Sequence, residues 1–203
     1  MKRRITSEPV DADAGLVEAL RRDDAGAAGQ LVERYGDCVY RLALRITGGR
    51  EDAEDVTEDA LGTVARTIGA FTRESEFGSW IERITATAAY RKLSSRPLAM
   101  SEIALDDVLP PLGSDGHFEP IDDWTTRFEP WATPGRLREP LTQAIDALPA
   151  DYRMALILRD SVGWSSSDIA ETLGLDPSAI MSRVHRARLF VRKRLAEYLT
   201  SAR

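Results

Sequence analysis

The chain has 203 residues, a mass of 22.5 kDa and a formal net charge of −6, a length that allows one large domain or two small ones. Hydrophobic residues make up 43% and charged residues 30%, which is enough for a core and a solvated surface, and no apolar run approaches the ~18 residues that a membrane helix needs. The single cysteine, Cys38, excludes an internal disulfide and a cysteine-based zinc site, and the basic start Met1–Pro9 lacks the apolar stretch of a signal peptide, so the expectation is a soluble cytoplasmic protein without membrane insertion.

Strand signals are nearly absent, whereas helical spacing is widespread. Leu16 and Leu20, then Leu31, Tyr35, Val39, Leu42 and Ile46, recur at three- and four-residue steps, and Gly48-Gly49 closes that helical stretch. Cys38 falls within it as a small core residue. A second helix starts near Glu51 and carries Val56, Ala60, Val64 and Ile68; its early acids suit the positive end of the helix dipole. After a loop at Phe71–Glu76, a third helix carries Phe77, Trp80, Ile81, Ile84, Ala88 and Leu93. These elements make an N-terminal bundle over residues 14–96.

Residues 97–136 differ: they are acidic, rich in Pro and Gly, and weakly periodic. A flexible linker is one reading. Leu105, Val108, Leu109, Phe118, Ile121, Trp124, Phe128 and Trp131 support another, a strap that docks on a surface. A second bundle occupies 137–203, opening with a stripe of Leu137, Leu141, Ile145 and Leu148 that Pro149 ends, followed by a helix carrying Tyr152, Ala155, Leu156 and Arg159 that Gly163 ends.

Residues 165–184 have the layout of a helix-turn-helix. Ser165 and Asp168 have the spacing of a capping box. Ile169 and Leu173 face inward, Ala170 is small where helices would cross, and Gly174 supplies a left-handed turn. Asp176 is placed to cap the next helix, and Pro177 fits its first position. Along that helix Ile180, Val184, Ala187, Val191, Leu195 and Tyr198 form the expected buried stripe, while Arg183, Arg186, Arg188, Arg192, Lys193 and Arg194 take other faces. The N-terminal part of such a helix enters the major groove, where Ser178, Met181, Ser182, His185 and Arg186 would face bases and phosphates. Taken alone, His185 reads either as a structural residue or as a DNA contact. Charge distribution supports DNA binding despite the net acidity: residues 177–203 hold seven Lys/Arg and one Glu. The acidic blocks, six acids over 51–59 and eight over 101–132, suit a basic protein surface as well.

The combination of Ala147-Leu-Pro-x-x-Tyr-Arg153, Leu158-Arg-Asp160, Asp168-Ile-Ala-x-x-Leu-Gly174 and Ser182-Arg-Val-His-Arg-Ala-Arg188 resembles region 4 of bacterial extracytoplasmic-function sigma factors. Tyr40-Arg-Leu-Ala-Leu-Arg45, Asp52-Ala-Glu-Asp55 and Phe77-x-Ser-Trp-Ile-x-Arg-Ile84 resemble region 2 of the same family. The resemblance implies an all-α fold of two small helical bundles joined by a long linker. It implies that Asp52, Glu54, Asp55 and Glu58 bind the β′ clamp helices of RNA polymerase core, with the β subunit as a further contact. The minus-10 element would meet the loop residues Arg73, Glu74 and Ser75 and the helix residues Phe77, Trp80, Arg83, Thr87, Arg91 and Lys92. A flipped base would be held there; Arg83, Arg91 and Lys92 would hold the strand backbone. Trp80 reads either as a stacking platform or as part of the Phe77/Ile81/Ile84 core stripe.

The minus-35 element would meet Arg159, Ser178, Met181, Ser182, Arg183, His185, Arg186 and Arg188. Departures from the family are Glu58 in place of a frequent Gln, Thr87 and Arg91 in place of frequent Asn and Asp, and Met181 in place of a commonly basic residue. The first is a small departure in the core-binding helix; Thr87 and Arg91 imply an altered minus-10 preference, and Met181 an unusual minus-35 element. The linker would thread toward the polymerase cleft, and an anti-sigma partner is a feature of many family members. The competing reading is a stand-alone helix-turn-helix regulator with an N-terminal dimerisation or sensor bundle. An enzyme reading finds no nucleotide loop, metal-ligand cluster or nucleophile constellation, and no cofactor or metal is expected.

Overall fold

The structure, a computed structural model, describes residues 10–72, 76–95 and 134–201. These residues form helices and connecting turns, with no strand among them. The helices are α1 (Val10–Arg21), α2 (Ala27–Thr47), α3 (Arg50–Thr67), α4 (Phe77–Ser94), α5 (Pro134–Asp146), α6 (Ala150–Leu156), α7 (Ser166–Leu173) and α8 (Pro177–Ser201). Two compact units result: residues 1–96 with 157–177, and residues 97–156 with 178–203. The apolar and acidic residues of the linker, from 97 to 133, lie outside the described residues.

In the first unit the expected stripe of α1 and α2 is buried: Leu16, Leu20, Leu31, Tyr35 and Val39 pack with Ala60, Val64 and Ile68 of the next segment and with Phe77 and Ile81 of α4. Two helices carry this stripe, because Asp23 and Gly26 take left-handed backbone conformations and break the chain between them. Gly48 ends α2 in the left-handed region (φ 74°), its N–H donating to the Leu44 carbonyl. The Tyr35 hydroxyl donates to Asp13 Oδ1 at 2.7 Å, and an Arg21 guanidinium nitrogen donates to the Phe71 carbonyl at 2.7 Å, fastening α1 to both neighbours.

In the second unit Ala144, Leu148 and Leu156 pack with Ala187, Phe190, Val191 and Leu195 of α8. Buried Arg153 donates to the Asp146 carbonyl at 3.0 Å, satisfying an orphan acceptor at the end of α5 with a cation suited to that pole of the helix. Two stripe positions differ from the sequence expectation: Leu141 and Tyr198 are 39% and 42% exposed. Both keep the helical period of their stripes.

Candidate nucleic-acid interface

The N-terminus of α3 follows Gly49, which is in extended conformation, and its first turn carries Glu51 and Asp52. Carboxylates there complement the partial positive charge of unpaired backbone N–H groups. Glu54, Asp55 and Glu58 are exposed on α3, whereas Asp52 is 8% exposed. The Lys92 ammonium of α4 lies 2.6 Å from Asp55 Oδ2 and 3.8 Å from Asp52 Oδ1. Asp52 is thus turned inward, and Lys92 reaches from α4 to α3 as a clasp between the two helices.

One face of α4 and one residue of α3 form a groove of about 310 Å³. Its apolar floor is Trp80, Ile84 and Ala88, all half-buried; Arg83 and Arg91 are exposed at its rim; Thr87 and, from α3, Thr63 add hydroxyls. The α4 residues recur at three- and four-residue steps, which places them on a single helix face. Four residues expected at the minus-10 element, Trp80, Arg83, Thr87 and Arg91, are therefore brought together. Thr63 was not expected: it is 17 residues away from Trp80 in sequence, and only the packing of α3 on α4 reveals it. Arg66 donates to the Thr63 hydroxyl at 3.0 Å, one turn further along α3.

Trp80 packs against the core cluster and belongs to the groove at once. Its ring stacks near that of Phe77 (centroids 5.9 Å apart, 24° between planes) and lies 5.3 Å from Phe71, while it also lines the groove. Phe77, expected at the minus-10 element, is 3% exposed and edge-on to Tyr35 at 5.5 Å, so it supports Trp80 from within the core. Arg73, Glu74 and Ser75 lie outside the described residues.

The segment between α6 and α7 winds as a wider π-type turn over Ile157–Val162, and the N–H groups of Gly163 and Trp164 both donate to the Leu158 carbonyl. Arg159 lies on this turn, exposed, with Nη1 donating to the Trp164 carbonyl at 2.7 Å. The capping box forms as its spacing predicts. The Asp168 N–H donates to Ser165 Oγ at 3.0 Å and the Ser165 N–H donates to Asp168 Oδ2 at 3.0 Å. Hydrogen bonds from the Ser165 side chain and backbone hold the Asp168 carboxyl below the ordinary carboxylate range. Gly174 ends α7 with φ 66°, in the left-handed region that a β-carbon disfavours. Asp176 then directly precedes Pro177, the first residue of α8.

Along α8, Ile180, Val184, Ala187, Phe190, Val191 and Leu195 are buried. Ser178, Met181, Ser182, His185 and Arg188 are exposed, and their three- and four-residue spacing makes them one stripe. Arg186 is half-buried beside it. Arg183, expected at the minus-35 element, lies toward Asp151 of α6, 3.4 Å away, and its Nη1 is buried. Among the described residues no group of three His, Cys, Asp or Glu side chains is placed to hold a metal ion. Nor is any described helix long and apolar enough to cross a membrane.

Residues 31–97 match the family model for sigma-70 region 2, and residues 138–191 match the model for sigma-70 region 4. The chain is 30% identical to the ECF RNA polymerase sigma factor SigE of Mycolicibacterium smegmatis, over 94% of its own length and 71% of that protein. It is 31% identical to the RNA polymerase sigma-H factor of Pseudomonas aeruginosa, over 95% and 98% of the two chains. Among solved structures, the fold is shared with the sigma factor RpoE of Bartonella quintana in complex with the anti-sigma factor NepR (23% identity, TM-score 0.54, covering 85% of this chain and 98% of that one). It is also shared with CnrH in complex with the cytosolic domain of CnrY (22% identity, TM-score 0.52, covering 92% and 99%).

Proposed function

The chain belongs to the extracytoplasmic-function sigma factors of the sigma-70 family, alternative sigma factors that direct promoter-specific transcription, and from that premise we propose how its surfaces divide the work. Region 2 and region 4 models on one chain, in that order, favour this activity over that of a stand-alone helix-turn-helix regulator.

The exposed acids of α3, Glu54, Asp55 and Glu58, meet the basic β′ clamp helices of RNA polymerase core, and complementary charge speeds and orients that encounter. The β subunit completes the core contact. The groove on α4 takes the minus-10 element as it opens. An unstacked base lies on the apolar floor beside Trp80, where ring faces stack with little regard to sequence. Arg83 and Arg91 neutralise flanking phosphates, and the hydroxyls of Thr63 and Thr87 offer hydrogen bonds to base or sugar. The exposed stripe of α8, with Arg186, takes the minus-35 duplex in its major groove, and Arg159 of the other unit is a contact of its own to that element. Bond chemistry is left to the polymerase. An anti-sigma protein is a further partner, a reading supported by the solved complex of RpoE with the anti-sigma factor NepR.

The observation that carries this reading is the groove. It unites an aromatic ring, two exposed guanidiniums and two hydroxyls on one face of α4 and its neighbour. The test is reconstitution with core polymerase and a matched promoter. In the double variant Arg83→Ala/Arg91→Ala, core affinity is expected to hold. Open-complex formation should fall at least tenfold, and the slope of log K against log salt should weaken by about 1.4, as two single-strand phosphate contacts predict. Unchanged strand opening at the minus-10 element would refute the groove's role.

A further inference from the structure

We propose that Met181 reads the C5-methyl group of a thymine in the minus-35 element, and so sets part of this chain's promoter preference. The inference rests on the assignment of α8 to that element. Met181 is 55% exposed, whereas Ile180, Val184 and Phe190 of the same helix are buried. It lies in the second turn of α8, one helical step from Ser178 and His185 and next to Ser182, all exposed on the same stripe. Val32 of α2 is equally exposed, so exposure alone does not single Met181 out. Its place does: it occupies the middle of the stripe that a recognition helix presents to base edges.

The major groove offers hydrogen-bond donors and acceptors on all four bases, and one apolar group, the thymine methyl. A methionine thioether has no proton to donate and is a weak acceptor. Against a guanine or cytosine edge it would displace water from polar atoms without replacing their hydrogen bonds, which is unfavourable. Against thymine it covers a methyl group. Its three rotatable bonds let the soft sulfur and terminal methyl settle on that group without exact backbone placement. A positively charged side chain at this position would instead favour guanine or phosphate. The preference therefore changes in kind, from charge to apolar contact. Burial of a single methyl corresponds to about a fourfold difference in binding.

The test uses the full chain assembled with core polymerase. Selection from duplexes randomised at the minus-35 element first gives the preferred site. Each thymine in that site is then replaced in turn by deoxyuridine, which removes the methyl and leaves the pairing edge and the backbone as they were. One position is expected to lose about fourfold in affinity, and in Met181→Ala and Met181→Lys this uridine effect is expected to vanish. The proposal is overturned if no thymine position responds to uridine, or if the response persists in both variants. Selection that returns no minus-35 preference would instead overturn the assignment of α8 itself, and the methyl contact with it.

Discussion

Replacing Lys92 with methionine separates a clasp from a DNA contact. Methionine keeps most of the aliphatic stem and removes the ammonium, so the packing of α4 on α3 is largely retained while Asp55 and Asp52 lose a cation at 2.6 and 3.8 Å. The two carboxylates differ. Asp55 has a side chain 53% exposed, and exposed pairs contribute about 0–1 kcal/mol after solvent screening. Asp52 has a side chain 12% exposed, and removing one partner of a fully buried pair costs about 3–5 kcal/mol. That upper figure does not apply here, because the distance is long, Lys92 itself is 35% exposed and Asp52 sits in the first turn of α3, where the helix dipole favours a negative charge. The expected loss is about 1 kcal/mol. Chemical denaturation reads it, and fluorescence titration with core polymerase and with promoter DNA in the holoenzyme reads the rest. Stability should fall and core affinity should change by a small factor, with the salt dependence of promoter binding unaltered. If stability is untouched while the salt slope drops by about one contact, Lys92 serves the DNA strand and the clasp is of no consequence.

Trp80→Ala is expected to cost about 2–3 kcal/mol in denaturation, less than a fully buried tryptophan because one face lines the groove. Trp80→Leu should recover part of that stability but not strand opening, which checks that the ring stacks on a base. Ser165→Ala should lose about 1 kcal/mol at neutral pH. Because Ser165 lowers the Asp168 pKa, its contribution is present above the unfolded carboxyl value of about 3.9 and fades as pH falls through the lower folded value. The stability gap between Ser165→Ala and the parent chain should therefore narrow as pH falls below the ordinary carboxylate range, leaving the part due to the Asp168 N–H bond to Ser165 Oγ. Arg183→Met should change the salt slope of promoter binding little, since Arg183 pairs with Asp151; a slope reduced by a full contact would return Arg183 to the DNA surface.

Features of short reach were the legible ones. Ser165 and Asp168 are three residues apart, and Gly174 and Pro177 bracket one turn, so propensity and capping chemistry specify them with no knowledge of tertiary packing. The apolar stripes of α2 and α8 were legible for a related reason: the helical period alone places them on one face. Direction was less so. Lys92, Asp52 and Arg183 carry charges that a sequence assigns to the surface, yet each is drawn toward an opposite charge on another helix. Phe77 was the mirror case, an aromatic beside functional residues that the core claims for itself. Leu141 and Tyr198 show that a place in a periodic stripe does not by itself secure burial, and Thr63 joined the groove across a helix–helix contact. The π-type turn at Ile157–Val162 gave no compositional sign, because its wider winding follows from how Gly163 and Trp164 share one carbonyl.

The Lys92 clasp also bears on how such chains are taken apart and rebuilt. An engineer grafting the part of α4 proposed to meet the promoter onto another scaffold would treat that helix as an exchangeable cassette. Here the cassette's last turn neutralises acids on the helix assigned to the polymerase. A graft that ends before Lys92 would leave Asp52 and Asp55 repelling one another, while one that includes it would deliver a cation to a scaffold without matching acids. The exchangeable module is therefore α3 with α4, and variation in promoter preference is easiest at positions such as Thr87 and Met181, which take no part in that charge balance.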